Sequence, residues 1–159
     1  MMHKGVLLDT SFFLRFLNER DPLFANADGY FRYFIENDIP MYISTISIGE
    51  YCVRGTVDEL PLRSLKVLTY NIDHAKRTGV FANLIFSNKG RLKLNERNII
   101  PNDTKLFATA DVEGEVAYYL SSDGESQKIY ELLKQLDSPH FQFINLYNPY
   151  TSVFGVLPF

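Results

Sequence analysis

Residues 102–126, NDTKLFATADVEGEVAYYLSSDGES, carry the pattern that decides the fold. Asp103 opens a segment rich in small residues, with Ala108, Thr109 and Ala110 inside it. VAYYLS follows, an apolar run of strand length and composition, and a second acid, Asp123, stands where that run ends. A strand that is apolar almost without interruption is one buried on both faces, as in a parallel sheet covered by helices.

The chain on either side repeats this pattern. GVLLD (5–9) reads as a short buried strand, and TSFFLRFLNERD (10–21) follows with Phe12, Phe13, Phe16 and Leu17 at helical spacing. Leu23 to Asn37 predicts a second helix with Phe24, Tyr30, Phe31, Phe34 and Ile35 inward. PMYIST (40–45) predicts a second strand, and SIGEYCVRG (47–55) a helix that stops at Gly55. Leu60 to Leu68 reads as another helix, and LTYNI (68–72) is too short to assign. DHAKRTGVFANLIFSNKG (73–90) predicts a helix ending around Gly90, with Ala75, Val80, Leu84 and Ile85 near one face. Asn102 to Gly114 is the next helix, then the strand VAYYLS, a helix over Glu125 to Leu136 and a last strand, FQFINL (141–146). This alternation predicts an α/β fold: a three-layer α/β/α sandwich around a central parallel sheet of four to five strands. No repeat or low-complexity linker divides the chain, so residues 1–147 form one domain. Residues 148–159 form an apolar tail that packs on that domain or on a second subunit.

Bulk properties narrow the function. At 159 residues with 46% hydrophobic and 22% charged content, the chain can bury a sizeable core. A net charge of −3 supplies no global attraction to a polyanion, so such a partner requires a local basic patch or metal ions. The single cysteine, Cys52, excludes an internal disulfide and fits a reducing compartment. Three histidines and no paired cysteines give no support for a structural zinc site. The N-terminal apolar run ends after four residues at Asp9, far short of a secretory or membrane-spanning segment, so a cytoplasmic location without a membrane partner is expected.

Four acids fall at equivalent places. Asp9 ends the first strand, Glu50 lies in the first turn of the helix after the second, Asp103 begins the small-residue helix and Asp123 ends the third strand. In an open parallel sheet, ligands bind beyond the carboxyl ends of the strands, where at least Asp9, Glu50 and Asp123 should gather. Each also has an ordinary folding role open to it. Thr10 or Ser11 can cap a helix, and Ser47 and Glu50 have capping-box spacing. Asn102 and Asp103 can cap the next helix, and Ser122 or Asp123 the one after that. Capping, however, does not require four acids at one sheet edge. Like charges held close together cost stability unless cations neutralise them, and hard oxygen donors without His or Cys suit Mg²⁺ or Mn²⁺.

These segments together resemble the PIN domains, which include the VapC-type toxin ribonucleases of bacterial toxin–antitoxin pairs. The resemblance rests on VLLDTSFFL (6–14), on ISTISIGEY (43–51) and on IPNDTKLFATADVEGEVAYYLSSD (100–123), in the family's order across roughly residues 5–147. It implies that Asp9, Glu50, Asp103 and Asp123 are an acidic quartet binding Mg²⁺ or Mn²⁺. Ser11 takes the place of the family's small hydroxyl, and Ser121 stands where Thr is usual. Phe107 replaces a usual small residue and Ser126 stands near a usual aromatic, departures that bear on substrate and partner. The implied activity is hydrolysis of single-stranded or structured RNA, leaving 5′-phosphate and 3′-hydroxyl ends. An antitoxin protein and a homodimer are the implied partners.

Lys89, Arg91, Lys93 and Arg97 crowd into KGRLKLNER (89–97), a basic segment suited to an RNA backbone, with Arg15 a further candidate. The same residues also suit a solvated loop. A competing reading is a catalytically silent RNA-binding or scaffold module that keeps the fold. A phosphotransfer or receiver domain is disfavoured, because Ser11 stands where a second Asp would be needed and Tyr147-Asn148 where a late Lys would be.

Overall fold

The structure, a computed structural model, describes residues 4–88 and 99–155. Strand β1 (Gly5–Leu8) occupies the centre of a five-stranded sheet and is buried along its whole length. Around it lie β2 (Met41–Ser44), β3 (Lys66–Leu68), β4 (Val116–Ser121) and β5 (Gln142–Asn145), in the order β3-β2-β1-β4-β5. Every pairing is parallel. A glycine at position 5 is required, because a β-carbon there would run into the ring of Tyr42 on the neighbouring strand.

Helices cover both faces. On one lie α1 (Thr10–Phe16), α2 (Phe24–Glu36) and α7 (Tyr150–Phe154), meeting Val6, Leu8, Ile43, Leu120 and Ile144 of the sheet through Phe12, Phe13, Ala27, Tyr30 and Phe34. On the other lie α4 (Ile72–Ser87), α5 (Ile99–Val112) and α6 (Gly124–Leu136), which pack Phe81, Ile85, Leu106, Phe107, Ile129 and Leu133 onto Leu7, Tyr42 and Tyr119. Alternate residues of a strand face opposite layers, so Val6 and Leu8 feed the first core while Leu7 feeds the second. Helix α3 (Thr45–Tyr51) leaves β2 directly.

The chain runs outward from β1 to β2 and β3 on one side, then crosses to β4 and β5 on the other. The direction of winding therefore reverses between β1 and β4, where such sheets open a crevice at the carboxyl ends of the strands.

Several local expectations are corrected. Residues 60–68 are not a helix: 3₁₀ turns at Val57–Glu59 and Leu62–Ser64 lead into β3. Their Pro61 and the β-branched Val67 oppose a continuous helix. Helix α3 ends at Tyr51, before Gly55, and its N-cap is Ser44, so Glu50 lies in its last turn. The inward face of α4 is formed by His74, Phe81 and Ile85, while Ala75 and Val80 are exposed. His74 is drawn in because its Nδ1 accepts the Asn71 N–H and its Nε2 pairs with Glu113 at 2.8 Å. Ile35 of α2 is exposed as well.

Helix α5 begins before Asn102, which places Asn102 and Asp103 inside it rather than at its cap. Pro101 is tolerated because it falls in the first turn, where its missing N–H has no helical partner to lose. Phe107 does not crowd the strand ends. It is fully buried in an aromatic group with Tyr119, Tyr130, Phe141 and Phe143. Tyr150 and Phe154 of α7 pack against Tyr30 and Tyr33 of α2, and Gly155, at φ 66, ends that helix in the left-handed conformation that glycine adopts most easily. Among the described residues no helix is long and apolar enough to cross a membrane.

Candidate active site

Asp9 leaves β1 in an extended conformation and caps α1, its Oδ1 accepting the Phe12 N–H at 3.2 Å. It is only 5% exposed. Because Leu8 lies opposite Leu120 in the parallel register, the residues after β1 and β4 emerge side by side. Ser121 Oγ donates to Asp9 Oδ2 at 2.6 Å, and Ser11 Oγ donates to Oδ1 at 2.5 Å. The Ser122 N–H donates to Ser11 Oγ at 2.9 Å and the Asp123 N–H to Ser121 Oγ at 3.0 Å. Each hydroxyl has a single proton, and the bonds of 2.5 and 2.6 Å to Asp9 are shorter than the 3.3 Å between the two serine oxygens, so both protons are directed at Asp9. The Tyr119 hydroxyl, buried below, lies 3.4 Å from Asp9 Oδ2.

Burial raises the Asp9 pKa to about 6 against the hydrogen bonds from Ser11, Ser121 and Phe12, and the Asp123 charge adds to the rise. The Tyr119 hydroxyl is pushed well above its ordinary range by burial and by all four acids.

Glu50 approaches from α3. Thr10 Oγ1 donates to its Oε1 at 3.1 Å. Burial raises the Glu50 pKa, opposed by hydrogen bonds from Thr10 and Asn102 and by the charge of Lys105. Asp103 approaches from α5 and is 7% exposed. Ser126 Oγ donates to its Oδ1 at 2.9 Å, while Oδ2 is buried and has no hydrogen-bond partner among the described residues. Burial is the main reason that Asp103 rises to about 8; the charges of Asp123, Asp9 and Glu50 raise it further. Asp123 caps α6, its Oδ1 accepting the Glu125 and Ser126 N–H groups at 2.9 and 3.4 Å.

The four acids thus act on one another, and folding roles coexist with their convergence. Asp9 and Asp123 are helix caps. The capping box suggested by Ser47 and Glu50 is not formed: Ser47 Oγ is buried without a partner among the described residues, and Ser44 is the cap. Among the described residues, no three His, Cys, Asp or Glu side chains are already gathered closely enough to hold an ion. The donor set nonetheless fits a hard divalent cation. It consists of carboxylate and hydroxyl oxygens, it carries mutual repulsion that a cation would relieve, and it includes a buried Asp103 oxygen that has no hydrogen-bond partner among the described residues.

Thr10, Asn102, Tyr119 and Ser126 contact these acids, and the acid pattern of the sequence does not single them out as members of the site. The only sequence signal for Thr10 is its place beside Asp9, and for Ser126 its place three residues after Asp123. Arg15 is held by Asp21 at 2.9 Å, on the loop between α1 and α2. Lys89, Arg91, Lys93 and Arg97 lie outside the described residues.

No protein-family model matches the chain, and no curated protein does. Solved structures match in shape. A chain of the DNA-bound VapBC complex from Salmonella typhimurium superposes with a TM-score of 0.58 at 17% identity, covering 90% of this chain and 98% of that one. A chain of VapBC2 from Rickettsia felis, bound to a fragment of its promoter DNA, gives 0.59 at 16%, covering 88% and 97%. VapC20 of Mycobacterium tuberculosis, described as a sarcin–ricin loop cleaving toxin, gives 0.50 at 18%, covering 78% and 94%. The chain has the PIN-type, VapC-like fold that the sequence resemblance implied.

Proposed function

We propose that the chain is a divalent-metal-dependent endoribonuclease of PIN type, acting on single-stranded or structured RNA. The observation that supports this reading is a run of hydrogen bonds linking the surroundings of the four acids: Ser121 donates to Asp9, Thr10 beside Asp9 donates to Glu50, and Ser126 contacts both Asp123 and Asp103. Asp9, Glu50, Asp103 and Asp123 would hold Mg²⁺ or Mn²⁺. When bound, such an ion offsets phosphate charge and makes water a stronger nucleophile. Ser11 and Ser121 fix the orientation of Asp9, Thr10 fixes Glu50, and Lys105 moderates the charge on Glu50. The VapBC neighbours support a toxin role with an antitoxin partner, and a homodimer is part of the same proposal.

Purified protein incubated with single-stranded RNA is expected to cleave it with Mg²⁺ or Mn²⁺ and to stop in EDTA. Asp9→Asn should remain folded and lose activity by more than about 100-fold. Undiminished cleavage in EDTA would defeat metal dependence.

A second reading, a catalytically silent RNA-binding or scaffold module, has its own observation. Every one of the four acids already accepts a hydrogen bond, and no three are gathered around a common point among the described residues. It predicts RNA retained without turnover and no thermal shift on adding Mn²⁺.

A further inference from the structure

Ser126 touches two of the four acids from two directions. It lies in the first turn of α6 and is 0% exposed. Its backbone N–H points to Asp123 Oδ1 at 3.4 Å, as expected of a residue three positions beyond an N-cap. Its hydroxyl turns instead to the neighbouring helix and donates to Asp103 Oδ1 at 2.9 Å. The other oxygen of Asp103 is buried and has no donor among the described residues. Leaving a buried carboxylate oxygen bare is costly, and nothing in core packing calls for it.

Asp9 provides the contrast. Both of its oxygens accept from hydroxyl groups, Ser11 on one and Ser121 on the other. Asp103 is held on one side only. A carboxylate fixed through one oxygen and free of donors at the other is well set to ligate a hard cation through that second oxygen, with its orientation held by a hydrogen bond from outside the coordination sphere.

We propose that Ser126 is the positioning residue for Asp103, pinning Oδ1 so that Oδ2 is the oxygen offered to the cation. This rests on the metal-site reading under Proposed function and extends it to a residue that the acid pattern does not contain. Were Ser126 only a tie between α5 and α6, its removal would lower stability and leave metal affinity alone.

The test is titration of EDTA-stripped full-length protein with Mn²⁺ by calorimetry, with urea unfolding of each metal-free variant alongside. Ser126→Ala is expected to weaken Mn²⁺ binding by about 10- to 100-fold. Ser126→Cys leaves no cavity and offers only a weak donor, and it should also weaken binding by about tenfold; if the alanine variant does not fold, the cysteine variant decides between the two roles. On an Asp103→Asn background, Ser126→Ala should change affinity by no more than about twofold, because the amide has no second oxygen to offer the cation. Wild-type Mn²⁺ binding that survives unchanged in the folded Ser126 variants overturns this proposal alone. So does an equal loss with and without Asp103. A wild-type chain that binds no Mn²⁺ overturns the metal-site reading and this proposal together.

Discussion

Ser121 Oγ lies 2.6 Å from Asp9 Oδ2, across 112 residues of chain. The two meet because β1 and β4 are parallel neighbours and Leu8 stands opposite Leu120, so the next residue of each strand arrives at the same depth. Ser121→Ala removes a donor from a buried carboxylate. It is expected to cost about 1–3 kcal/mol of stability in urea unfolding, and about tenfold in RNA cleavage at fixed Mg²⁺. Ser121→Thr keeps the hydroxyl and should keep most of the activity. An alanine variant equal to wild type in both measurements would show that this bond supports neither fold nor site.

Stability without metal should fall as pH rises. Asp9 and Asp103 are raised to about 6 and about 8 from an ordinary value of 3.8, so the folded chain binds protons more tightly than the unfolded one. Their favourable contribution is complete below pH 3.8 and is lost as pH climbs through 6 and then 8. Asp21 and Glu59, held below the ordinary carboxylate range, work in the opposite sense, but only in more acid solution. Urea midpoints in EDTA should therefore be higher at about pH 5.5 than at about pH 8.5. Asp103→Asn should flatten the upper part of this slope, and Mn²⁺ should restore stability at the alkaline end. A midpoint that rises over this range counts against the buried, mutually repelling acids.

Thr10→Val keeps the shape of the side chain and removes the donor to Glu50 Oε1. Thr10 is only half-buried, so a melting-temperature change of no more than a few degrees is expected. Mn²⁺ affinity should drop by about tenfold. Loss of stability with intact affinity would make the Thr10–Glu50 bond a structural link between α1 and α3.

Phe107→Ala should destabilise the chain by about 3–5 kcal/mol in urea unfolding, because its ring is fully enclosed by other aromatics. Phe86→Ala on exposed α4 surface is the control, with a change within about 0.5 kcal/mol expected. A small effect at Phe107 would mean that the second core is looser than its packing suggests.

What was legible in the sequence was whatever depends on neighbours along the chain. VLL is buried throughout and VAYYL for the most part, and that shows as unbroken apolar runs; Ile129, Leu132 and Leu133 show α6 by their spacing. Boundaries set by tertiary contacts were less legible. His74 reads as polar, yet its hydrogen bonds to Asn71 and Glu113 turn α4 so that Val80 faces out. Strand β3 has only three residues and gains its form by pairing with β2, which no local pattern encodes.

The sequence by itself determined which residue types stand where strands end: acids at positions 9 and 123, with hydroxyls beside them. That follows from chain order and alternating hydrophobicity, both one-dimensional. Only the tertiary structure decided which oxygen of each acid is occupied, that Thr10 serves Glu50 and Ser126 serves Asp103, and that one Asp103 oxygen has no donor among the described residues. Those relations arise where β1, α3, α5 and β4 converge. Burial there and the sharing of single hydroxyl protons are set by distances in space, and spacing along the chain does not record them.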